Sequence, residues 1–311
     1  MSASFASALG AARDAAASQH YPGGTLYVVA TPIGNLADIT LRALHVLQLA
    51  DAVACEDTRH TQSLLRAYGV DKTPAQLLAV HQHNEAEAAQ AVVAQLHQGL
   101  RVAYVSDAGT PGVSDPGARL VAAVQAAGLR AMPLPGASSV TTALSVAGAV
   151  SHGGETGGFV FAGFLPTKSA ERATAIEQHW AREPRCVVLL EAPHRIQDLA
   201  RALAVLGERP VTLARELTKQ FEEVTTLPAR DLAAWLDAAP QRSRGEFVVL
   251  LHPLARTDDD GGDSLRVLRL LLQELPLKTA VRIAAEITGA SRNVLYDTAL
   301  QWKRDAPGDA D

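Results

Sequence analysis

The sequence predicts an α/β protein of two domains built on mostly parallel sheets, with a small C-terminal helical module after them. Three observations predict it. Short β-branched runs alternate with helical patterns of about 10–15 residues from Gly24 to His252, the mark of β-α-β units. A Pro-Gly turn at Pro135-Gly136 divides that series, and the strand spacing differs on its two sides. A length of 311 residues also amounts to two domains at roughly 150 residues each. With 48% hydrophobic and 20% charged residues, the composition is that of an ordinary globular chain, which excludes disorder as the main state.

Residues 1–23 are rich in Ala and Ser but lack the basic start and unbroken apolar core of a secretory signal. They are expected to form a flexible extension. The N-terminal α/β domain spans 24–135, with strands expected at Leu26–Thr31, Ala52–Cys55, Leu77–His81, Arg101–Ser106 and Ala131–Leu134. Helices are expected between them at Leu41–Leu49, Thr58–Tyr68, Glu85–His97 and Pro116–Ala126. The C-terminal α/β domain spans 136–256 and opens with a small-residue helix, Ser138–Ala147, and a Gly-rich loop, Ser151–Gly158. Its strands are expected at Phe159–Ala162, Cys186–Leu190, Val211–Arg215, Glu222–Thr226 and Phe247–Leu251. Helices at Ala170–Ala181, Arg195–Leu206 and Asp231–Leu236 complete it.

Charge is segregated in the remainder. An acidic linker, 257–263, includes Asp258–Asp263 with a charge of −4. The basic helical module, 264–304, carries +4, and the acidic tail, 305–311, carries −3. Helices are expected at Leu265–Glu274, at Lys278–Thr288 with Gly289 as the stop, and from an N-capping Ser291 through Leu300. A basic helix, Gly turn, helix segment fits a nucleic-acid contact better than the alternative, a solvated hairpin that closes a domain or a dimer. The whole chain carries −5, which argues against coating nucleic acid by bulk charge.

Cys55 and Cys186 sit apart in apolar strand-like runs, without metal spacing, and read as buried inert thiols in a reducing compartment, the cytoplasm. No run approaches the ~18 apolar residues that span a bilayer, so no membrane is expected as a partner. His81 and His83 stand two apart, but no acidic or Cys partner lies at ligand spacing, and no metal is expected.

The motifs cluster where predicted strands end. There is no Gly-x-Gly-x-x-Gly and no Gly-Lys-Ser/Thr phosphate loop. A Gly-rich element does follow a strand, Ser106 to Gly117, and it carries Asp107 and Asp115 with no Lys or Arg. A phosphate cradle needs amide donors and a cation. This loop instead offers acceptors, which suit ribose hydroxyls, an amino group or a cationic sulfonium. Glu56-Asp57-Thr58-Arg59 ends another strand and reads as a helix cap or part of a substrate site. Lys168, Arg195, Arg215 and Lys219 follow later strands, beside Glu191 and Glu216. They form either a phosphate-facing patch or a salt-bridged surface.

Taken together, several blocks resemble the bacterial ribosomal RNA small-subunit methyltransferase I family, within the tetrapyrrole-methylase superfamily. They are Ala30 to Thr40, Cys55-Glu56-Asp57-Thr58-Arg59, Ser106 to Gly117, Pro135 to Ser139, Gly163 to Pro166, Glu191 to Arg195 and Arg215 to Lys219. Leu275 to Lys278 and Thr288 to Asn293 also fit, so the resemblance runs from about Thr25 to Trp302. It implies the tetrapyrrole-methylase-like fold, 2′-O-methylation of a cytidine ribose in 16S rRNA or the small ribosomal subunit, and a homodimer. It also implies S-adenosylmethionine as cofactor, held in a cleft between the domains. Carried over by position, the cofactor contacts are Pro32, Asp107, Ala108, Gly109, Val113, Ser138 and Ser139, with Phe164, Ala192, Glu246 and Phe247 as looser additions.

A ribose hydroxyl is weakly acidic, so the reaction calls for a base or a polarising cation. Glu56, Asp57 and Glu216 are the candidate bases; Lys168 and Lys219 are candidates to lower the hydroxyl pKa or hold phosphate. Arg59, Arg195 and Arg215, with Lys278, Arg282 and Arg292 of the basic module, are the candidate RNA contacts. One alternative is a small-molecule (tetrapyrrole) or diphthine-type methylase of the same superfamily. Another is a non-catalytic RNA-binding protein, which leaves the Ser106–Gly117 loop unexplained. An NAD oxidoreductase is weaker still without the dinucleotide fingerprint.

Overall fold

A computed structural model describes residues 5–81, 84–150, 158–254 and 260–305. They form two bodies: one holds both sheets, and the other holds the helices beyond Pro253. His83, residues 151–157 of the expected loop, residues 257–259 of the acidic linker and residues 306–311 of the tail lie outside the described residues.

The chain opens with a helix, α1 (Ala6–Ala16), where the sequence predicts flexibility. It is held by packing: Ala12 and Ala16 are buried, and Phe5, Ala8 and Leu9 lie on the same apolar cluster as Leu44 and Tyr68. Alanine is the best helix former, so an Ala-rich stretch with one apolar face orders once a core is beside it.

The first sheet follows from β1 (Thr25–Val29), α2 (Leu41–Leu49), β2 (Ala52–Cys55), α3 (Thr58–Ala67), β3 (Leu77–Ala79), α4 (Glu85–His97), β4 (Arg101–Val105), α5 (Gly117–Ala126) and β5 (Arg130–Leu134). Its order is β3-β2-β4-β1-β5 and every pairing is parallel. Alternate side chains supply two faces. Tyr27 and Ala103 pack with Leu44, Leu47 and Leu65, while Leu26 and Tyr104 pack with Val92, Leu96, Leu120 and Val124.

The second sheet departs from the predicted parallel pattern. Its elements are α6 (Ser139–Ala147), β6 (Phe159–Gly163), α7 (Ser169–Ala175), β7 (Cys186–Glu191), α8 (Ile196–Leu203), β8 (Pro210–Arg215), β9 (Glu223–Pro228), α9 (Leu232–Asp237) and β10 (Phe247–Leu251). The order is β6-β7-β10-β8-β9; only β6 and β7 pair in parallel, and β10 runs antiparallel between β7 and β8. The tight connection Glu216–Glu222 makes β8 and β9 a hairpin, which forces antiparallel pairing. The expected helix Ala170–Ala181 also divides, with a π-turn over Ile176–Trp180. Buried Arg209 collects the carbonyls there, donating to Trp180 O at 2.8 Å and Glu183 O at 3.0 Å.

The other body is helical: α10 (Asp260–Glu274), α11 (Leu277–Thr288) and α12 (Arg292–Asp305). Thus α10 starts inside the expected acidic linker, and α12 runs past the expected Leu300. Leu268, Ala280, Val281, Ala284, Leu295 and Ala299 form its own small core. Gly289 ends α11 with φ 74°, a conformation that favours glycine. Among the described residues no helix is long and apolar enough to cross a membrane.

Candidate active site

Because the first sheet is all parallel, its strands release their carboxyl-end loops along one edge. Two of these loops lock together: Thr31 and Gly109 exchange backbone hydrogen bonds of 3.0 Å each. Gly109 and Gly112 have φ 81° and 85°, so the loop needs glycine at both positions. Asp115 folds the loop on itself. Its carboxylate accepts from Gly112 N at 2.7 Å, Gly117 N at 2.8 Å and the Tyr104 hydroxyl at 3.0 Å. Next to it, Glu56 Oε1 accepts the Asp107 amide at 3.0 Å, and Asp107 Oδ1 accepts the Asp57 amide at 3.3 Å.

The second sheet meets this edge from the other side. Strands β6, β7 and β8 deliver Phe164, Ala192 and Leu217 after their ends, and antiparallel β10 delivers Glu246 and Phe247 at its start. Register places Phe247 opposite both Glu191 and Arg215. Ile33, from the loop after β1, packs into the second sheet's cluster with Leu217 and Val248.

A cleft lies between the two edges in two adjoining lobes of about 270 Å³ and 340 Å³. Ala108, Ser139, Phe164 and Leu190 line both. Asp107, Gly109, Val113 and Ser138 line the first, with Glu56 and Asp115; Ala192, Glu246 and Phe247 line the second, with Glu191. Ten of the eleven expected cofactor residues therefore converge on one cavity. Pro32 is the exception: it is buried, and its neighbours Thr31 and Ile33 make the loop contacts.

The lining carries Glu56, Asp107, Asp115, Glu191 and Glu246, and no Lys or Arg lines either lobe. Glu191 is 3% exposed; its Oε1 accepts the Ala192 amide at 2.9 Å, and its Oε2 is buried with no hydrogen-bond partner. A buried carboxylate oxygen without a donor is costly and suits a polar or cationic ligand. These acceptors, with the apolar walls from Ile33, Val113, Phe164 and Leu217, fit a sulfonium nucleoside with a flat adenine and a hydroxyl-bearing ribose, and disfavour a triphosphate.

The candidate bases differ in their surroundings. Burial raises the Glu56 pKa, while the Asp107 amide pulls the other way. Asp57 caps α3, accepting from Arg59 N at 2.8 Å and His60 N at 3.3 Å, and pairs with the Arg59 guanidinium. These bonds, that from the Arg59 side chain first, lower its pKa to about 2, making it a poor base. Glu216 is desolvated, which raises its pKa, but Lys219 and the Glu246 amide outweigh burial and hold it low. The Lys219 ammonium stands 2.9 Å from Glu216 Oε1 and 2.8 Å from Glu246 Oε2. Lys168 is 80% exposed and paired with Glu171, away from the cleft lining.

Residues 25–233 match the family Tetrapyrrole (Corrin/Porphyrin) Methylases, and residues 258–303 match the RsmI C-terminal HTH domain. The chain is 47% identical to ribosomal RNA small subunit methyltransferase I of Neisseria meningitidis serogroup B, covering 92% of this chain and 97% of that one. It is 48% identical to the Escherichia coli O157:H7 protein of the same name, covering 89% and 95%. The chain belongs to the ribosomal RNA small subunit methyltransferase I family. The fold is also that of a solved diphthine synthase, with TM-score 0.56 and 15% identity over 74% of this chain and 90% of that one.

In this family member, two of the expected RNA contacts are internal pins. Arg195 is largely buried, ion-paired to Glu191 at 3.1 Å and donating to Leu165 O at 2.5 Å. Arg215 is 7% exposed and holds Glu223 together with the carbonyls of Phe221, Gln241 and Arg244. Strand-end arginines beside acidic residues become anchors when the loops fold over them. Arg59 is exposed, and on the helical body Lys278, Arg282 and Arg292 are exposed, with Arg282 paired to Glu286 at 3.1 Å. Sequence reasoning missed Glu191, Leu190 and Leu217 as cleft residues. The available signal was their place beside Ala192 and Glu216 at the ends of predicted strands.

Proposed function

We propose that this protein transfers a methyl group from S-adenosylmethionine to the ribose 2′-hydroxyl of a cytidine in 16S rRNA of the small ribosomal subunit. The observation that carries the reading is the cleft: five carboxylates line it, two of them ion-paired to Arg195 and Lys219 outside the lining, no Lys or Arg lines it, and Glu191 Oε2 is buried with no hydrogen-bond partner. Family membership supplies the reaction class and the RNA.

Asp107, Ala108, Gly109, Val113, Ser138 and Ser139 would hold the cofactor from the first sheet, and Phe164, Ala192, Glu246 and Phe247 from the second. When bound, S-adenosylmethionine supplies an electrophilic methyl group on a positively charged sulfur. Glu56 is the proposed base. It lines the cleft, is half-buried, and its raised pKa brings it closer to the working pH than an ordinary carboxylate. It would take the 2′-hydroxyl proton as the oxygen gains the methyl group. Lys219, locked between Glu216 and Glu246, orders the hairpin on the opposite wall. Placement of the hydroxyl against the methyl donor supplies much of the rate.

The reading includes a homodimer and a cytoplasmic location. The first is what the resemblance in sequence implies; the second rests on Cys55 and Cys186 being free and buried, their thiol pKa raised by burial to about 11. Sedimentation of the purified protein tests the dimer. The substrate is tested by offering unmethylated small subunits and a tetrapyrrole precursor in parallel with labelled S-adenosylmethionine. Label in the RNA is expected. Label in the tetrapyrrole alone would transfer the protein to the small-molecule branch.

A further inference from the structure

The helical body has a cleft of its own, about 660 Å³, that none of the expected RNA residues lines. Its walls come from three places. Arg269, Leu272 and Gln273 stand at i, i+3 and i+4 of α10, so they share one face. Ala299, Trp302 and Lys303 stand at the same spacing on α12. The Leu275-Pro276-Leu277 turn closes the third side. The Arg269 guanidinium lies 4.7 Å from the Trp302 ring centroid.

We propose that this cleft takes an unpaired nucleobase of the RNA, stacked on the Arg269–Trp302 pair, with Lys303 on the flanking phosphate. The proposal rests on the RNA substrate of the preceding section and names the surface that grips it. The chemistry is that of single-strand recognition: an aromatic face, a guanidinium plane and adjacent cations beside an apolar wall. A paired base hides its faces in the duplex stack, so the occupant is single-stranded. Among the described residues neither Arg269 nor Lys303 is ion-paired to a carboxylate, whereas Arg282 on α11 is neutralised by Glu286. The stretch 264–304 carries +4. Asp260, Asp263 and Asp305 at the outer ends of α10 and α12 bring the three helices to +1, so the attraction to a polyanion is local to the basic side chains. Leu272, Leu275 and Leu277 also lie on the body's own core, so the apolar wall is rigidly backed.

The test is tryptophan fluorescence of the full-length protein titrated with oligocytidylate and with an abasic ribose-phosphate oligomer of equal length. Oligocytidylate should quench, and the abasic chain should bind at least about tenfold more weakly, the scale of one base stack. Trp302→Phe should abolish the quench while keeping affinity within a few-fold. Arg269→Gln and Lys303→Gln, both exposed replacements, should each weaken binding with circular dichroism unchanged. Equal affinity for the abasic oligomer, or a quench that survives Trp302→Phe, would overturn the proposal. Methyl transfer to small subunits, measured on the same samples, separates the two readings. Transfer without a base-dependent quench removes the cleft and leaves the enzyme standing; a Trp302-dependent quench without transfer does the reverse.

Discussion

The Asp107 backbone N–H donates to Glu56 Oε1 at 3.0 Å, joining the loops that leave β4 and β2. A side chain at the end of one strand therefore holds the proposed cofactor loop at the end of its neighbour. One oxygen is used for that contact, and the carboxyl group still lines the cleft.

Glu56→Gln keeps an acceptor for the Asp107 amide and removes the base. A loss of about 10²–10⁴-fold in methyl transfer is expected, with S-adenosylmethionine affinity by calorimetry within a few-fold. In the wild type the rate should rise with pH through a carboxyl pKa above the usual value, since burial raises it and only the ionised form accepts a proton. Stability has the opposite sign: a raised folded pKa favours folding at low pH, and this contribution fades as pH rises through it. Glu56→Gln should therefore melt slightly higher than the wild type at neutral pH.

Asp57 gives a different result. Its folded pKa near 2 lies below the usual 3.8, so its contribution is present above about 4 and lost as pH falls toward 2. Asp57→Asn, which still caps α3, should retain methyl transfer within a few-fold; Asp57→Ala should lower Tm. An acid-unfolding series should show less pH dependence between 4 and 2 for both variants. A large loss of activity in Asp57→Asn at unchanged Tm would make Asp57 the base instead.

Gly34 contributes through its missing side chain. A Cβ there would stand 2.4 Å from Lys219 Cγ and 3.0 Å from Thr218 Oγ1, so Gly34→Ala must displace the Lys219 side chain from its place between Glu216 and Glu246. The β8–β9 hairpin is already strained, with Glu216 at φ 52° and Thr218 at φ 67°. A fall of about tenfold or more in methyl transfer is expected, on the scale of a small misplacement. Lys219→Met keeps the Cγ and removes only the charge, so its own loss of methyl transfer measures how much belongs to the ammonium.

Arg195→Ala would strand the Glu191 carboxylate, whose side chain is fully buried. Uncompensated buried charge costs about 3–5 kcal/mol, so urea unfolding should shift to markedly lower midpoints. Were Arg195 an RNA contact alone, affinity would fall and the midpoint would stay.

Much of this was legible in the residues. β2, β10, α2 and α4 lie where periodicity and caps place them, because each is a short run bounded by polar or Gly residues. The Ser106–Gly117 loop, the proposed cofactor loop, was legible through its density of Gly, Pro and Asp, and its conformation uses them: Gly109 and Gly112 have left-handed backbone and Asp115 accepts the Gly112 and Gly117 amides. What could not be read was burial. Arg195 and Arg215 present the same residue type as an RNA clamp, and only their enclosed carboxylate and carbonyl partners distinguish the two tasks. Likewise β10 inserts antiparallel between strands distant in sequence, which brings Glu246 to the cleft by a route no local pattern encodes. The packed helix α1 depends on a core formed by residues that come after it.

The central claim is tested most directly by mass spectrometry of nucleosides from 16S rRNA. Small subunits lacking the modification would be incubated with this protein and S-adenosylmethionine bearing a deuterated methyl group. The expected product is 2′-O-methylcytidine carrying the deuterated methyl, absent when Glu56→Gln replaces the wild type. Labelled methyl on a base, or no label in the RNA from protein that binds the cofactor, would contradict the claim.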